Sequence, residues 1–497
     1  MLIEYGTIAS RIVHCDPTEW QSVCHSLNNP EGEAFFRPDY AFLSGLTAWF
    51  RHCGIRVDGD LVPDTKWLTT DIPRDLLPGI ELRDYQIPPV QKALCYKRGI
   101  IANCTGAGKT IEYAALVKLL GGKSICIFET TAAAEQMLEC LKEYGLESCG
   151  IIGGGKKRYA DHMLVVSDSA YSRIVKRDER FAQHLHECKL LAFDEVHHLG
   201  SSKTWLQVCL YCPAPYRIGL SATPFDEEWG VSDLTLVGAV GGIIDLLPSK
   251  VLRDAGYLAE PFVFMIPVAG ATVDLVLSNW VEIEKQAIVQ HEYRNNLIIS
   301  ICSHTVQKIP DAKMLVLVRQ EKHGRFLCKK LNELGVRARF SFGSKRMYDE
   351  NDRCVHRSYS KVRAEFEAGE FSVLLGSVVY DESQDMPSVT DLVLASGGKK
   401  MRRLKQRLGR GERKCTGKKH VRVYDFYDSQ HPSTARHSRQ RSEGYAEEEI
   451  FEVTNPKVVN DLVNGRVHPD QVIALFKGDG DEDYNRQIGQ AICTGNV

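Results

Sequence analysis

From about Lys97 onward, short apolar runs alternate with longer stretches whose apolar positions recur every three or four residues. The runs GIIANC (99–104), SICIFET (124–130), HMLVVSD (162–168), KLLAFDE (189–195) and YRIGLSAT (216–223) predict strands buried on both faces. Between the first two, TIEYAALVKLL predicts an amphipathic helix stopped by Gly121-Gly122. Strands that alternate with helices imply a parallel sheet covered on both sides.

The alternation lapses between about 225 and 285, where Gly241-Gly242, Pro248, Gly256 and Pro261 predict a connector. It resumes with KMLVLVR (313–319), VRARFSFG (336–343), FSVLLGS (371–377), TDLVLAS (390–396) and HVRVYDF (420–426). Two α/β lobes in tandem follow from this pattern. The N-terminal stretch fits neither lobe: Trp20, Phe35, Phe36, Trp49 and Phe50 lie among basic residues, before a segment rich in Pro and Asp. The expected division is an accessory domain at 1–77, a first lobe at 78–255, a linker at 256–285, a second lobe at 286–450 and an extension at 451–497.

Composition changes this picture little. At 497 residues the chain exceeds one ordinary core, and 43% apolar with 25% charged residues is the balance of a soluble globular protein. A net charge of −2 means that any attraction to nucleic acid must come from local clusters. The sixteen cysteines are scattered, mostly within apolar runs, which suits reduced thiols better than a disulfide framework. Cys209-Leu210-Tyr211-Cys212 lacks a second pair at zinc-ribbon spacing. MLIEYGTIAS shows no secretory pattern, and Leu234 to Ile244 is far shorter than the ~20 apolar residues that span a bilayer. A soluble, cytoplasmic protein without membrane association is expected.

ANCTGAGKT (102–110) joins the first strand to a helix. In Thr105-Gly106-Ala107-Gly108 the glycines let backbone N–H groups turn towards a phosphate, and the helix adds its positive end. Lys109 can reach the β- and γ-phosphates of ATP, and Thr110 can offer its hydroxyl to Mg²⁺. The strict motif has Gly where this chain has Asn103. A second cluster, Asp194-Glu195-Val196-His197-His198, follows LLAF at the end of its strand, where ligands of open α/β sheets collect. Asp194 is suited to hold Mg²⁺ through water and Glu195 to accept the proton of the attacking water. The adjacent histidines lack the H-E-x-x-H spacing of a zinc site. His197 is expected to couple the lobes.

With these motifs in order, the chain resembles the DExH group of superfamily 2 helicases, which includes the phage UvsW-type and XPB-like DNA translocases. The likeness covers about residues 80 to 430. Arg83-Asp84-Tyr85-Gln86 is similar to the family's adenine-reading motif, CTGAGKT to motif I, and Asp194 to His197 to motif II. Ser221-Ala222-Thr223 resembles the coupling motif III, and Gly256-Tyr257-Leu258 before Pro261 resembles the segment leading into the second lobe. Gln406-Arg407-Leu408-Gly409-Arg410-Gly411-Glu412-Arg413 fits Q-x-x-G-R-x-x-R, where the family carries its arginine fingers, Arg410 and Arg413 here. Motif V reads Glu382-Ser383-Gln384-Asp385-Met386-Pro387, with Ser383 in place of the family's Gly and Asp385 retained for the nucleotide.

The resemblance implies two RecA-like lobes, ATP and Mg²⁺ as cofactors, and phosphate contacts by Thr130, Thr131 with Gln136, Gly153 to Gly155, and Ser167 to Ser169. The basic stretch 397–422, with Lys399, Lys400, Arg402 and Arg403, suits a phosphate track as well as a solvated face. Arg51 and His52 in the accessory domain suit a DNA contact. The expected protein is an ATP-dependent helicase or translocase on duplex, forked or junction DNA, working with replication, recombination or repair proteins. An RNA helicase, the motor of a restriction system and an ATP-gated clamp that does not unwind remain open as alternatives.

Overall fold

The computed structural model describes residues 2–4, 9–14, 41–43, 63–225, 230–270, 273–274, 276–343, 346–357, 359–377, 386–398, 408–409, 411–412 and 418–477. The chain divides into two compact units, Met1–Ser249 and Lys250–Val497.

At the N-terminus β1 (Leu2–Glu4), β2 (Ala9–His14) and β3 (Ala41–Leu43) form a three-stranded antiparallel sheet. The accessory-domain residues Trp20, Phe35, Phe36, Trp49, Phe50, Arg51 and His52 lie outside the described residues.

The first unit's main sheet contains β4 (Arg98–Asn103), β5 (Lys123–Phe128), β6 (Cys149–Gly153), β7 (Lys156–Arg158), β8 (His162–Val166), β9 (Cys188–Asp194), β10 (Tyr216–Leu220) and β11 (Ile243–Leu247). Their order is β11-β4-β10-β9-β5-β8-β6-β7, parallel except for the β6–β7 hairpin. Alternation along each strand feeds two cores. Ile101, Cys126, Ala192 and Leu220 face one; Ile100, Ala102, Ile127 and Phe193 face the other. A parallel sheet needs this double cover, because crossover helices lie on both its faces.

Every predicted strand of this lobe is present, within one residue at its start. The connector region holds two more elements, β11 and a helix at Val231–Val240. Gly241-Gly242 is a close junction between them: a side chain on Gly241 would meet Gly99 N at 3.2 Å.

The second unit carries a nine-stranded sheet of β12 (Glu260–Val268), β13 (Met314–Leu317), β14 (Ala338–Phe342), β15 (Arg346–Tyr348), β16 (Cys354–His356), β17 (Val373–Gly376), β18 (Asp391–Val393), β19 (His420–Asp428) and β20 (Phe451–Val453). The order is β16-β15-β14-β17-β13-β18-β19-β12-β20, antiparallel only at β14–β15–β16. Again alternate residues serve opposite cores, with Phe264 and Val316 on one and Val263 and Leu315 on the other.

Here two expected boundaries are corrected. Residues 256–285, expected as linker, contain β12, which lies between β19 and β20. Pro261 misled because proline gives the ladder no N–H, and β12 holds a second proline, Pro267. Yet β20 flanks only Phe262 to Phe264, so both prolines stand where β12 has one neighbour and a missing N–H need break no bond. Residues 451–477, expected as an extension, instead add β20 and helices Pro456–Val463 and Pro469–Lys477 to the second unit's fold.

Candidate active site

The helices that matter for the site are α1 (Ile87–Tyr96), α2 (Lys109–Leu120), α3 (Thr131–Glu143) and α4 (Ser167–Val175). The candidate residues of the first unit gather at the C-terminal ends of its parallel strands. The phosphate loop leaves β4, Asp194 ends β9, and Ser221 follows β10, so three neighbouring strands deliver these groups to one edge.

Between β4 and α2 the backbone takes left-handed turns at Gly106 (φ 87°) and Gly108 (φ 97°), where other residues would be strained. A side chain on Gly108 would also lie 2.3 Å from the Gln86 amide. Lys109 Nζ donates to the carbonyls of Asn103 at 3.0 Å and Cys104 at 3.4 Å, which keeps its charge within the loop. Thr105 and Thr110 are half-buried at its rim.

Gln86 is buried, and its amide is engaged at both ends. Nε2 donates to Ala107 O at 2.9 Å, while Oε1 accepts from Arg83 N at 3.0 Å. It thus braces the phosphate loop, a role the sequence did not reveal. Arg83 itself is exposed and reaches Tyr85 Oη at 2.7 Å.

Asn103, the departure from the strict motif, has a partner nine residues on. Its Nδ2 donates to Glu112 Oε1 at 2.8 Å, and neither residue is exposed. Burial pushes the Glu112 carboxyl up to about 8, against the pull of Asn103 and Lys109. The sequence signal was a lone acid on the buried face of TIEYAALVKLL.

At the end of β9 the chain turns through Glu195 in the left-handed region (φ 50°), a conformation that costs a residue with a side chain about 1–3 kcal/mol. The corner is held by Val196, whose N–H donates to Leu220 O at 3.1 Å. Val196 also packs under Gly219, where a side chain would meet it at 2.8 Å. Glu195 Oε2 accepts from Ser221 Oγ at 3.1 Å and lies 3.4 Å from His197 Nδ1. His197 Nδ1 is 3.3 Å from Ser221 Oγ, which also accepts from Thr223 N at 3.2 Å. Motifs II and III therefore form one hydrogen-bonded unit. The His198 ring lies 4.3 Å from that of His197 and 5.5 Å from that of Trp205.

The two carboxylates are driven apart electrostatically. Burial and the adjacent Glu195 raise Asp194 above the usual carboxylate range, against Lys109. Burial would raise Glu195 too, but His197, Lys109 and Ser221 outweigh it and hold that group below the usual range. Glu195 is therefore held as a carboxylate anion. Asp194, an oxygen donor whose negative charge lacks full compensation, and the Thr110 hydroxyl suit a hard divalent cation such as Mg²⁺.

The expected phosphate contacts occupy the other half of the same edge, after β5, β6 and β8. Thr130 caps α3, its Oγ1 accepting from Ala133 N at 3.2 Å, and Gln136 is half-buried on that helix. Gly154 (φ 58°) lies against Thr131, since a side chain there would meet Thr131 Cγ2 at 2.7 Å. Gly153 and Gly155 flank it, Ser167 is buried at the start of α4, and Ser169 is half-buried. Ser383, Asp385, Lys399, Lys400, Arg402, Arg403, Gln406, Arg410 and Arg413 lie outside the described residues.

Residues 79–226 match the family described as type III restriction enzyme, res subunit. Over 370 residues the chain is 27% identical to the DNA 3'-5' translocase XPB2 of Sulfurisphaera tokodaii, covering 67% of this chain and 79% of that protein. The chain is supported as a superfamily 2 helicase by these matches. It is thus an ATP hydrolase coupled to movement on nucleic acid. It is also 26% identical to a Rad25-named relative of Halobacterium salinarum, of which it spans 52%. Solved structures agree on the fold. A type I restriction HsdR fragment from Vibrio vulnificus superposes with TM-score 0.52 at 19% identity, over 74% of this chain and 67% of that one. Dbp5 of S. cerevisiae, bound to RNA and ADP BeF3, does so with TM-score 0.52 at 13% identity, over 78% and 94%. Among the described residues no helix is long and apolar enough to cross a membrane.

Proposed function

We propose that this helicase is an ATP-driven DNA translocase acting on duplex, forked or junction DNA in replication, recombination or repair. The relatives named as DNA translocase or DNA helicase support DNA as the track. The observation that carries the reading is the Glu195–Ser221–His197 unit, which ties the candidate base to the coupling motif through direct hydrogen bonds. Residues 1–77 would serve as an accessory DNA-binding part.

In this reading the loop from Thr105 to Gly108 cradles the phosphates and Lys109 binds them. Arg83 and Gln86 border the adenine, and Asp385 contacts the nucleotide. Thr110 and Asp194 would hold Mg²⁺, which supplies charge neutralisation at the phosphates. Glu195 takes a proton from water as its oxygen attacks the γ-phosphorus. The bond to the bridging oxygen breaks, and ADP leaves with that electron pair. By the family resemblance, Arg410, Arg413 and Gln406 are assigned to the transferring phosphoryl group and His197 to coupling. Thr130, Thr131, Gly154 and Ser167 grip the DNA backbone, and Ser221 with Thr223 relays hydrolysis to them.

ATP turnover measured over single strand, duplex, fork and four-way junction tests the substrate. Stimulation by duplex or branched DNA is expected; stimulation by single-stranded RNA alone would overturn DNA as the track. The family match over 79–226 favours a second reading, the motor of a restriction system. Co-purification with a nuclease or methyltransferase partner, and DNA cleavage by that assembly, would favour it.

A further inference from the structure

Glu412 stands within the Q-x-x-G-R-x-x-R motif, two residues after Arg410 and one before Arg413. A carboxylate there is a natural rival for phosphate, because a flanking guanidinium can pair with it instead. The described part of the motif shows where that carboxylate goes. Glu412 is 2% exposed, and its Oε1 accepts from Arg253 Nη1 at 3.0 Å. Arg253 lies on α5 (Ser249–Asp254), and its other terminal nitrogen, Nη2, donates to the Glu448 carbonyl.

The backbone repeats the hold. Ala259 N donates to Glu412 O at 2.6 Å, immediately before β12 begins, and Glu412 N donates to Leu408 O at 3.0 Å. Leu408 is buried in the core. Gly411 is pressed against β19, where a side chain would meet Val421 Cγ2 at 2.8 Å. Leu408, Gly411 and Glu412 are thus each held in the fold, and the acid is buried.

We propose that Arg253 is a positioning residue for ATP hydrolysis: by binding Glu412 it fixes the turn bearing Arg410 and keeps the Glu412 carboxylate off the finger guanidiniums. This rests on the reading of Arg410 and Arg413 as arginine fingers. In this proposal Arg253 acts on hydrolysis through Glu412 and not on the substrate itself.

The test uses the full chain, with kcat for DNA-stimulated ATP turnover, affinity for a fluorescent ADP and folded fraction by circular dichroism. Arg253→Met should lower kcat by about ten- to a hundredfold, the scale of a misplaced catalytic group, without weakening ADP binding. Adding Glu412→Gln to that variant should restore most of kcat, because the rival charge is gone. Should Arg253→Met not fold, Glu412→Asp and Glu412→Gln decide the matter. The aspartate keeps the charge but is too short to reach Arg253, so it should be the less active of the two. A merely structural pair would not rank them so. Equal activity of these two variants, with Arg410→Ala inactive, would overturn the proposal alone. Parental kcat in Arg410→Ala would instead overturn the finger reading beneath it.

Discussion

The two units use buried charge in opposite ways. In the first, Glu112, Asp194 and Glu195 are drawn to the phosphate-loop end of the sheet, where burial raises Glu112 and Asp194. In the second, guanidinium–carboxylate pairs run through the interior: Arg294–Asp428 at 2.7 Å, Arg422–Asp391 at 2.7 Å, Arg441–Asp425 at 2.8 Å and Arg253–Glu412 at 3.0 Å. Buried charge that is already matched can only hold structure; charge left short of compensation attracts a ligand. The second unit's pairs also reach the motif-bearing loops. Arg441 donates to Gly398 O at 2.9 Å, at the start of the basic stretch, and Lys418, outside these pairs, donates at 3.1 Å to the carbonyl of Pro387, the last residue of motif V.

This contrast can be broken by substitution. The largest effect is expected in the first unit, where Glu195→Gln should lower ATP turnover by about 10²–10⁴-fold, the worth of a positioned base. Nucleotide binding and thermal stability should stay near parental values, and full turnover in this variant would remove Glu195 from its role. In the second unit the loss should fall on stability. Asp428→Ala leaves Arg294 buried without its carboxylate and should cost about 3–5 kcal/mol in a denaturant titration. A loss confined to turnover would contradict the scaffold role.

Smaller effects sharpen the comparison. Asn103→Leu leaves Glu112 unpaired beneath the phosphate loop and should cost about 1–3 kcal/mol, with Glu112→Leu in the same chain recovering most of it. No recovery in the double variant would show that the pair serves more than mutual satisfaction. The smallest effect belongs to Asp470 on the last described helix. Burial would raise its carboxyl, but His420 and Arg422 hold it below the usual range. Its contribution is therefore complete above the ordinary aspartate value of about 4 and drains away as pH falls through the lower folded value. Being half-exposed, it should add less than about 1 kcal/mol, read as a steeper acid loss of Tm in the parent than in Asp470→Asn.

Much of this was legible along the chain. Strands buried on both faces announce themselves as unbroken apolar runs, and the phosphate loop is defined by glycines whose left-handed turns few other residues tolerate. The acids after LLAF were recognisable because an apolar run ended on them. What escaped were relationships between distant positions. Asn103 looked like a defect until Glu112 completed it. Gln86, expected at the adenine, also joins Arg83 N and Ala107 O through its amide. Strand β12 was hidden by Pro261, whose cost depends on which neighbours lie beside it, and β20 by its brevity.

The place of β12 has a consequence for how the molecule is made. The strand that opens the second sheet is flanked by the two that finish it, so it emerges from the ribosome long before either neighbour exists. Its Phe-Val-Phe-Met-Ile run must wait without a partner strand while roughly one and a half hundred residues are added. Chains cut short before Phe451 would keep that ladder open on one side, ready to join strands from other molecules.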